Sequence, residues 1–466
     1  MKKKMCVFLA VMMVLGLTAC GAGKQEPQKQ EAQKQETQKQ EDGKQEAQKQ
    51  EPQKQEAQKQ EAGKQEDFQP SLDTSASCHI SVSGGYSNFE ALEAEFDRFN
   101  KYYPNVEMVF TKIDDYNNMI GMVLEGNDAP DIYVNYSWMY GREQYKEAID
   151  HAENLADPAL GLDLDCIRPN IILKTEDGTL PMVPVFSNTY GMLVNNDLFE
   201  KEGLSVPTTY EELVSVCKAF REKGYESPVM GFSKEETTSI FTALLYPFFC
   251  GTVANDAEAV KKLNALDPSA GEYMRPALEK MEQFLKDGCT DLDACAAIEN
   301  NYEAVILRFF EGDVPMMTCS GDTVSGTKKR ESRSEAFTAK PFKYTFVPVP
   351  MSDDGAYFLD LPNLQFSVNK ESPDLDIANE FMRFLITSRE LSEMAQNKGL
   401  MSPTKDLSFN SIYAAFGSVP ESRLLSPEEF GLTDDAVKQF RQAVYGVGTG
   451  AMTIDEAVAG YGSLAK

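Results

Sequence analysis

The sequence predicts an α/β fold divided into two lobes. Two observations carry this. Between Cys78 and Asn135, strand-like and helix-like patterns alternate, which implies a parallel sheet covered by helices. In addition, about 400 residues follow a polar N-terminal repeat, whereas a single hydrophobic core rarely grows beyond about 250–300 residues.

The first segment stands apart from that fold. Lys2, Lys3 and Lys4 precede an apolar run from Met5 to Ala19. This run is shorter than the ~20 residues a membrane-spanning helix needs, so residues 1–19 read as a secretory signal. It ends Leu17-Thr18-Ala19-Cys20-Gly21. Small residues before a cysteine resemble the lipobox of bacterial lipoproteins. The resemblance implies that Cys20 carries the lipid and holds the chain at the membrane, since several acyl chains give stable anchoring where one is marginal.

Residues 20–70 form the next segment, and Lys24 to Asp67 within it carry a five-residue repeat, KQEPQ, KQEAQ, KQETQ and variants. It offers no apolar side chains beyond a few alanines, so no core forms. Period five matches neither helix nor strand, and Pro27, Gly43, Pro52 and Gly63 interrupt any helix. The expectation is a disordered tether of low net charge.

The folded part opens with alternation over Cys78–Ser83, ended by Gly84-Gly85. Phe89, Leu92, Phe96 and Phe99 then fall at helical spacing. Tyr103-Pro104 stops that helix. Val106–Phe110 is a strand, Tyr116–Leu124 a polar helix, and Ile132–Asn135 a third strand after Asp128-Ala-Pro-Asp131.

The formal charge of -28 argues against nucleic acid and anionic lipid as partners. Beyond Cys20 lie Cys78, Cys166, Cys217, Cys250, Cys289, Cys295 and Cys319, an odd set without zinc-type spacing. Cys289 and Cys295 have room to pair if a turn intervenes. The two histidines, His79 and His151, have no catalytic partner set. No H-E-x-x-H, G-x-S-x-G or P-loop is present. No enzyme activity, cofactor or metal is expected.

Several blocks then appear in order. They are the FNKYYPNVEM and GNDAPDIYVNYSW segments, Leu180–Phe199, Pro207–Leu213, Phe309–Gly321, Tyr344–Pro350, and Phe366–Asn369 with the helix after it. In this order they resemble the extracellular solute-binding proteins that include maltose- and oligosaccharide-binding proteins. Gly321 is followed by Asp-Thr-Val, where tryptophans are common in that family, and Trp138 is the single tryptophan. The resemblance implies a periplasmic-binding-protein-like fold of type II, with two doubly wound α/β lobes joined by hinge strands. One lobe is expected over 77–188 and 366–402, the other over 190–364 and 403–466.

It further implies a monomeric capture protein of an ABC importer, working with membrane permease subunits and closing on a small solute, a sugar or oligosaccharide before others. A surface sensor or adhesin on the same fold is the alternative reading, and an exported carbohydrate-active enzyme a third.

Doubly wound sheets bind ligands beyond the carboxyl ends of their strands. Candidate contacts are therefore Gly85 and Tyr86 after the first strand, and Asn135, Tyr136 and Trp138 after the third. Asn188 and Tyr190 come from the crossover, Ser320 and Asp322 from the later turn, and Asn363 from the second crossover. Aromatic faces suit the C–H faces of sugars, and amides and carboxylates suit their hydroxyls. Asp360 reads either as a further contact from the second crossover or as a residue that solvates a turn, and Thr208 or Thr209 as a helix N-cap with Glu211 or Glu212 completing the box.

Overall fold

A computed structural model describes residues 67–465 except 88, 176, 236, 300 and 408–411. The expected signal, Cys20 and the repeat up to residue 66 lie outside the described residues.

Strands β1 (Cys78–Gly84), β2 (Val106–Lys112) and β3 (Ile132–Asn135) pair in parallel with β1 central. The helix Glu90–Phe99 covers them, burying Leu92, Phe96 and Phe99 along the face its spacing announces. β4 (Val183–Asn188) and β5 (Tyr190–Asn195) are separated only by Thr189 yet belong to different sheets. β6 (Val229–Met230), β7 (Met316–Ser320) and β8 (Tyr344–Val347) join β5 in the order β6-β7-β5-β8. β9 (Phe358–Leu359) pairs with the later strand β11 (Leu424–Leu425). Between them in sequence, β10 (Leu361–Val368) returns to the first sheet, giving the order β2-β1-β3-β10-β4.

Both sheets are mixed. β10 runs antiparallel to β3 and β4, and β5 antiparallel to β7 and β8. These are the strands next to the crossings: a chain that leaves one sheet and comes back re-enters from the opposite end.

Each sheet has its own hydrophobic core. One gathers Ile80, Val134, Phe186, Phe366 and Phe381, the other Met192, Leu193, Phe220, Phe249 and Phe440. The chain passes between them at 188–190, near 360–364, and again where Leu400 belongs to the first core and Met401 to the second. Isolated bridges Ser187–Met401 and Ile167–Thr404 bring the third crossing beside the first.

Arg168 ties these crossings together. Its Nε and Nη2 donate to Asp360 at 2.7 and 2.8 Å. Nη2 also reaches Ser187 Oγ at 2.6 Å, and Nη1 reaches the carbonyls of Ser402 and Thr404 at 2.9 and 2.6 Å. Asn170 adds a bond to the same carboxylate at 3.1 Å. Asp360 is thus a buried ion-pair partner, not a solvated turn residue.

The chain before β1 lies along the first core. Phe68 meets Tyr102 and Phe384 edge-on at 5.2 and 5.3 Å, under the Arg383 guanidinium at 4.3 Å. Ser71 donates its N–H and hydroxyl to Glu380, which also accepts from Tyr103 and Arg383. Residues 67–70, expected to belong to the tether, are thus held against the first core by an aromatic ring with a partner groove.

The N-cap of the helix Tyr210–Glu222 is Thr209, which accepts from the Glu212 N–H at 3.3 Å. Glu212 reaches back to the N–H and hydroxyl of Thr208, one residue further out than a closed capping box would take it. The cysteines among the described residues are free thiols, and all but Cys78 are buried.

Candidate ligand-binding site

The sequence-predicted residues fall into two groups, one on each core. On the first, Gly85, Tyr86 and Tyr136 line a cavity of about 690 Å³ with Lys112, Asp115 and Tyr116. It lies where β1, β2 and β3 end, the position strand-end reasoning indicates. A Cβ at Gly85 would stand 3.3 Å from that of Tyr116, so a small residue keeps the wall open. Tyr136 stacks on Trp138 with centroids 5.6 Å apart and rings inclined by 20°. Tyr145 meets Trp138 edge-on at 5.1 Å, and the Arg142 guanidinium lies over the indole at 5.5 Å. The indole orientation is therefore fixed from two sides while its own edge stays partly open.

Asn135 is placed differently. It is fully buried, donating to the Ala148 carbonyl at 2.9 Å and Ser367 Oγ at 3.0 Å and accepting the Tyr136 N–H at 2.9 Å. Gln365 beside it accepts both the N–H and the hydroxyl of Ser137 at 2.8 Å.

The second group centres on Asp322, just past β7. Asn188 at the first crossing donates to it at 2.7 Å, and Asn363 at the second at 3.0 Å. Asp322 itself is exposed to solvent, although much protein surrounds its carboxyl. Burial raises its carboxyl pKa against the lowering effect of Asn363 and Asn188. A Cβ on Gly321 would stand 2.5 Å from Asn188 Oδ1, so glycine permits this approach. Ser320 is buried at the end of β7, opposite Tyr190 in the ladder. Tyr190 is buried against Tyr246, with ring centroids 5.9 Å apart.

The two groups come within electrostatic reach of one another. Burial raises the Tyr86 hydroxyl pKa, and Tyr136 from the first group and Asp322 from the second add to the shift. A second cavity, of about 660 Å³, is bounded by Trp138, Arg142 and Met182 on one side and by Tyr246, Glu428 and Asp434 on the other. Arg142 donates to Asp434 across it at 2.5 Å.

Sequence reasoning missed this wall, which the helix Asp434–Gly448 and the preceding turn supply. The available signal was a Thr433 cap followed by Asp434, Lys438 and Arg441 on one face of the helix. Tyr302 was missed as well. It stands partly exposed, and burial, with Asp322 and Glu235 adding to it, raises its hydroxyl pKa.

A pair of mixed α/β bodies joined by three crossings, with polar and aromatic groups at their junction, is the fold of a type II periplasmic binding protein. Comparison agrees. The family model for bacterial extracellular solute-binding proteins matches residues 84–390, and the chain belongs to that family. It is 21% identical over 343 residues to the melibiose/raffinose/stachyose-binding protein MelE of Bacillus subtilis, covering 72% of this chain and 75% of that one. The structure of apo RafE from Streptococcus pneumoniae superposes with a TM-score of 0.65 at 17% identity, over 86% of this chain and 100% of that one. The sugar-binding protein MalE from Xanthomonas citri superposes at 0.64 and 16% identity, over 83% and 96%. Among the described residues no helix is long and apolar enough to cross a membrane.

Proposed function

We propose that this protein captures a carbohydrate between its two bodies and delivers it to the permease of an ABC importer. The observation that carries the reading is that Tyr86 feels both Tyr136, of the stacked Tyr136–Trp138 pair, and Asp322, which Asn188 and Asn363 hold. Stacked aromatics suit the apolar face of a pyranose, and a carboxylate flanked by amides suits its hydroxyls. The similarity to MelE supports the same ligand class.

In this reading the lobes span roughly 77–188 with 366–402 and 190–364 with 403–466, and Gly85, Tyr86, Tyr136, Trp138, Asn188, Tyr190, Ser320, Asp322 and Asn363 face or frame the ligand. Asn135 orders the turn that carries Tyr136 and Trp138. The protein acts as a monomer held to the outer face of the membrane through a lipid on Cys20, with the repeat as spacer.

The test is a thermal-shift screen over oligosaccharides, polyols and peptides, followed by calorimetry on any hit. A ligand bound only by the native state raises Tm. A saccharide is expected to do so. A peptide or polyol acting where no saccharide does would overturn the ligand class. Separately, Cys20→Ser should move the protein from the membrane fraction to the medium.

A further inference from the structure

Arg441 lies on the helix Asp434–Gly448, seven residues beyond Asp434 and four beyond Val437. Asp434 and Val437 both line the second cavity, so their shared helix face carries Arg441 along the same wall. The guanidinium lies over the ring of Tyr246, which also lines the cavity, at 5.4 Å. It makes one long bond, 3.5 Å, to the Tyr190 hydroxyl. Its Nε is buried and has no hydrogen-bond partner among the described residues.

No carboxylate among the described residues pairs with it. Asp434 acts on its charge only at a distance and is engaged with Arg142. Glu428, on the same wall, has its pKa raised to about 7 by burial, so it is a weak source of negative charge near neutrality. A guanidinium largely withdrawn from water without a carboxylate is costly to the fold. Its planar fork matches a carboxylate better than a neutral hydroxyl.

Resting on the carbohydrate reading above, we infer that Arg441 receives the carboxylate of an acidic sugar, so that the captured glycan carries a uronic-acid-type residue. Tyr190 and Tyr246 hold the guanidinium in place, and the Trp138 side of the cavity takes the neighbouring ring.

The test measures Kd by calorimetry on the full chain. The probes are oligosaccharides bearing one uronic acid, the same compounds with the acid methyl-esterified, and neutral oligosaccharides of equal length. The uronide should bind at least about tenfold tighter than its ester, as a charge-assisted hydrogen bond implies. Arg441→Met should erase that preference, and Arg441→Lys should keep part of it. The ester comparison needs no variant, so it stands even if Arg441→Met fails to fold. A neutral oligosaccharide that binds best, with a Kd unchanged by Arg441→Met, overturns the inference and leaves carbohydrate capture intact. Failure of every saccharide to bind removes both.

Discussion

Arg168 and Asp360 form a two-point ion pair, 2.7 and 2.8 Å, at the place where the chain crosses between its two sheets. Both side chains are buried, and Arg168 also holds the first and third crossings through Ser187, Ser402 and Thr404. Removing one partner of such a pair strands the other charge, which typically costs about 3–5 kcal/mol. Asp360→Asn is expected to lower unfolding free energy in urea by that order. A loss below about 1 kcal/mol would mean the pair is not the fastening described.

Gly321→Ala places a methyl group 2.5 Å from Asn188 Oδ1. Asn188 must then withdraw from Asp322. Solute affinity should fall about tenfold, the scale of one charge-assisted hydrogen bond, with a smaller effect on the melting temperature of the free protein. Unchanged affinity would remove Asn188 and Asp322 from the site.

Arg142 and Asp434 bridge the two sides of the second cavity while half-exposed. Such a pair contributes no more than about 1 kcal/mol to folding, but it forms only when the two walls are close. Asp434→Asn should weaken solute binding by about two- to fivefold, more at low salt than at high. The charge-swapped double variant Arg142→Asp, Asp434→Arg should recover part of the loss. Equal binding by all three proteins would count against a role in closure.

Glu380 gives stability a defined pH dependence. Burial alone would raise its pKa, but the Arg383 guanidinium and hydrogen bonds from Ser71 and Tyr103 outweigh it and hold the carboxyl at about 2. Its contribution is therefore present above the unfolded value near 4.5 and is lost as pH falls from there toward 2. Glu380→Gln should cost about 2–3 kcal/mol at pH 7 and flatten the acid side of the Tm profile. An unchanged acid limb in the variant would refute this.

Glu95 behaves in the opposite sense. Burial raises its pKa to about 8 despite Arg98 beside it, and Glu390 shares the site. The folded form thus holds a proton that the unfolded chain releases. The stabilisation is complete below about pH 4.5 and declines as pH rises through 8. Glu95→Gln should resist that decline, so its Tm advantage over the native protein grows from pH 6 to pH 9.

Much of the architecture was written locally. The helix Tyr116–Leu124 and the strand Ile132–Asn135 have the limits their residue patterns indicate, because periodic burial and turn residues agree there. The β4–β5 passage was legible only through the resemblance of Leu180–Phe199 to the family's crossover strand, since Ser187, Asn188 and Thr189 interrupt its apolar pattern. Arg168 was not legible, because its carboxylate partner is 192 positions away and its loop has no periodicity.

The site was legible only in part. Strand-end reasoning led to Tyr86, Tyr136 and Trp138 but could not tell that Asn135, one residue earlier, turns inward to the Ala148 carbonyl. The Glu428–Arg441 wall escaped notice because its residues meet the rest only through tertiary packing.

Cys217, Cys250, Cys289, Cys295 and Cys319 are all buried in the second core, while Cys166 lies in the first and Cys78 beside it. The native thiols therefore form an uneven internal tally of exposure. A brief pulse of alkylating reagent during denaturation, read by intact mass, would distinguish molecules in which only one half has come apart from those wholly unravelled, without an engineered probe.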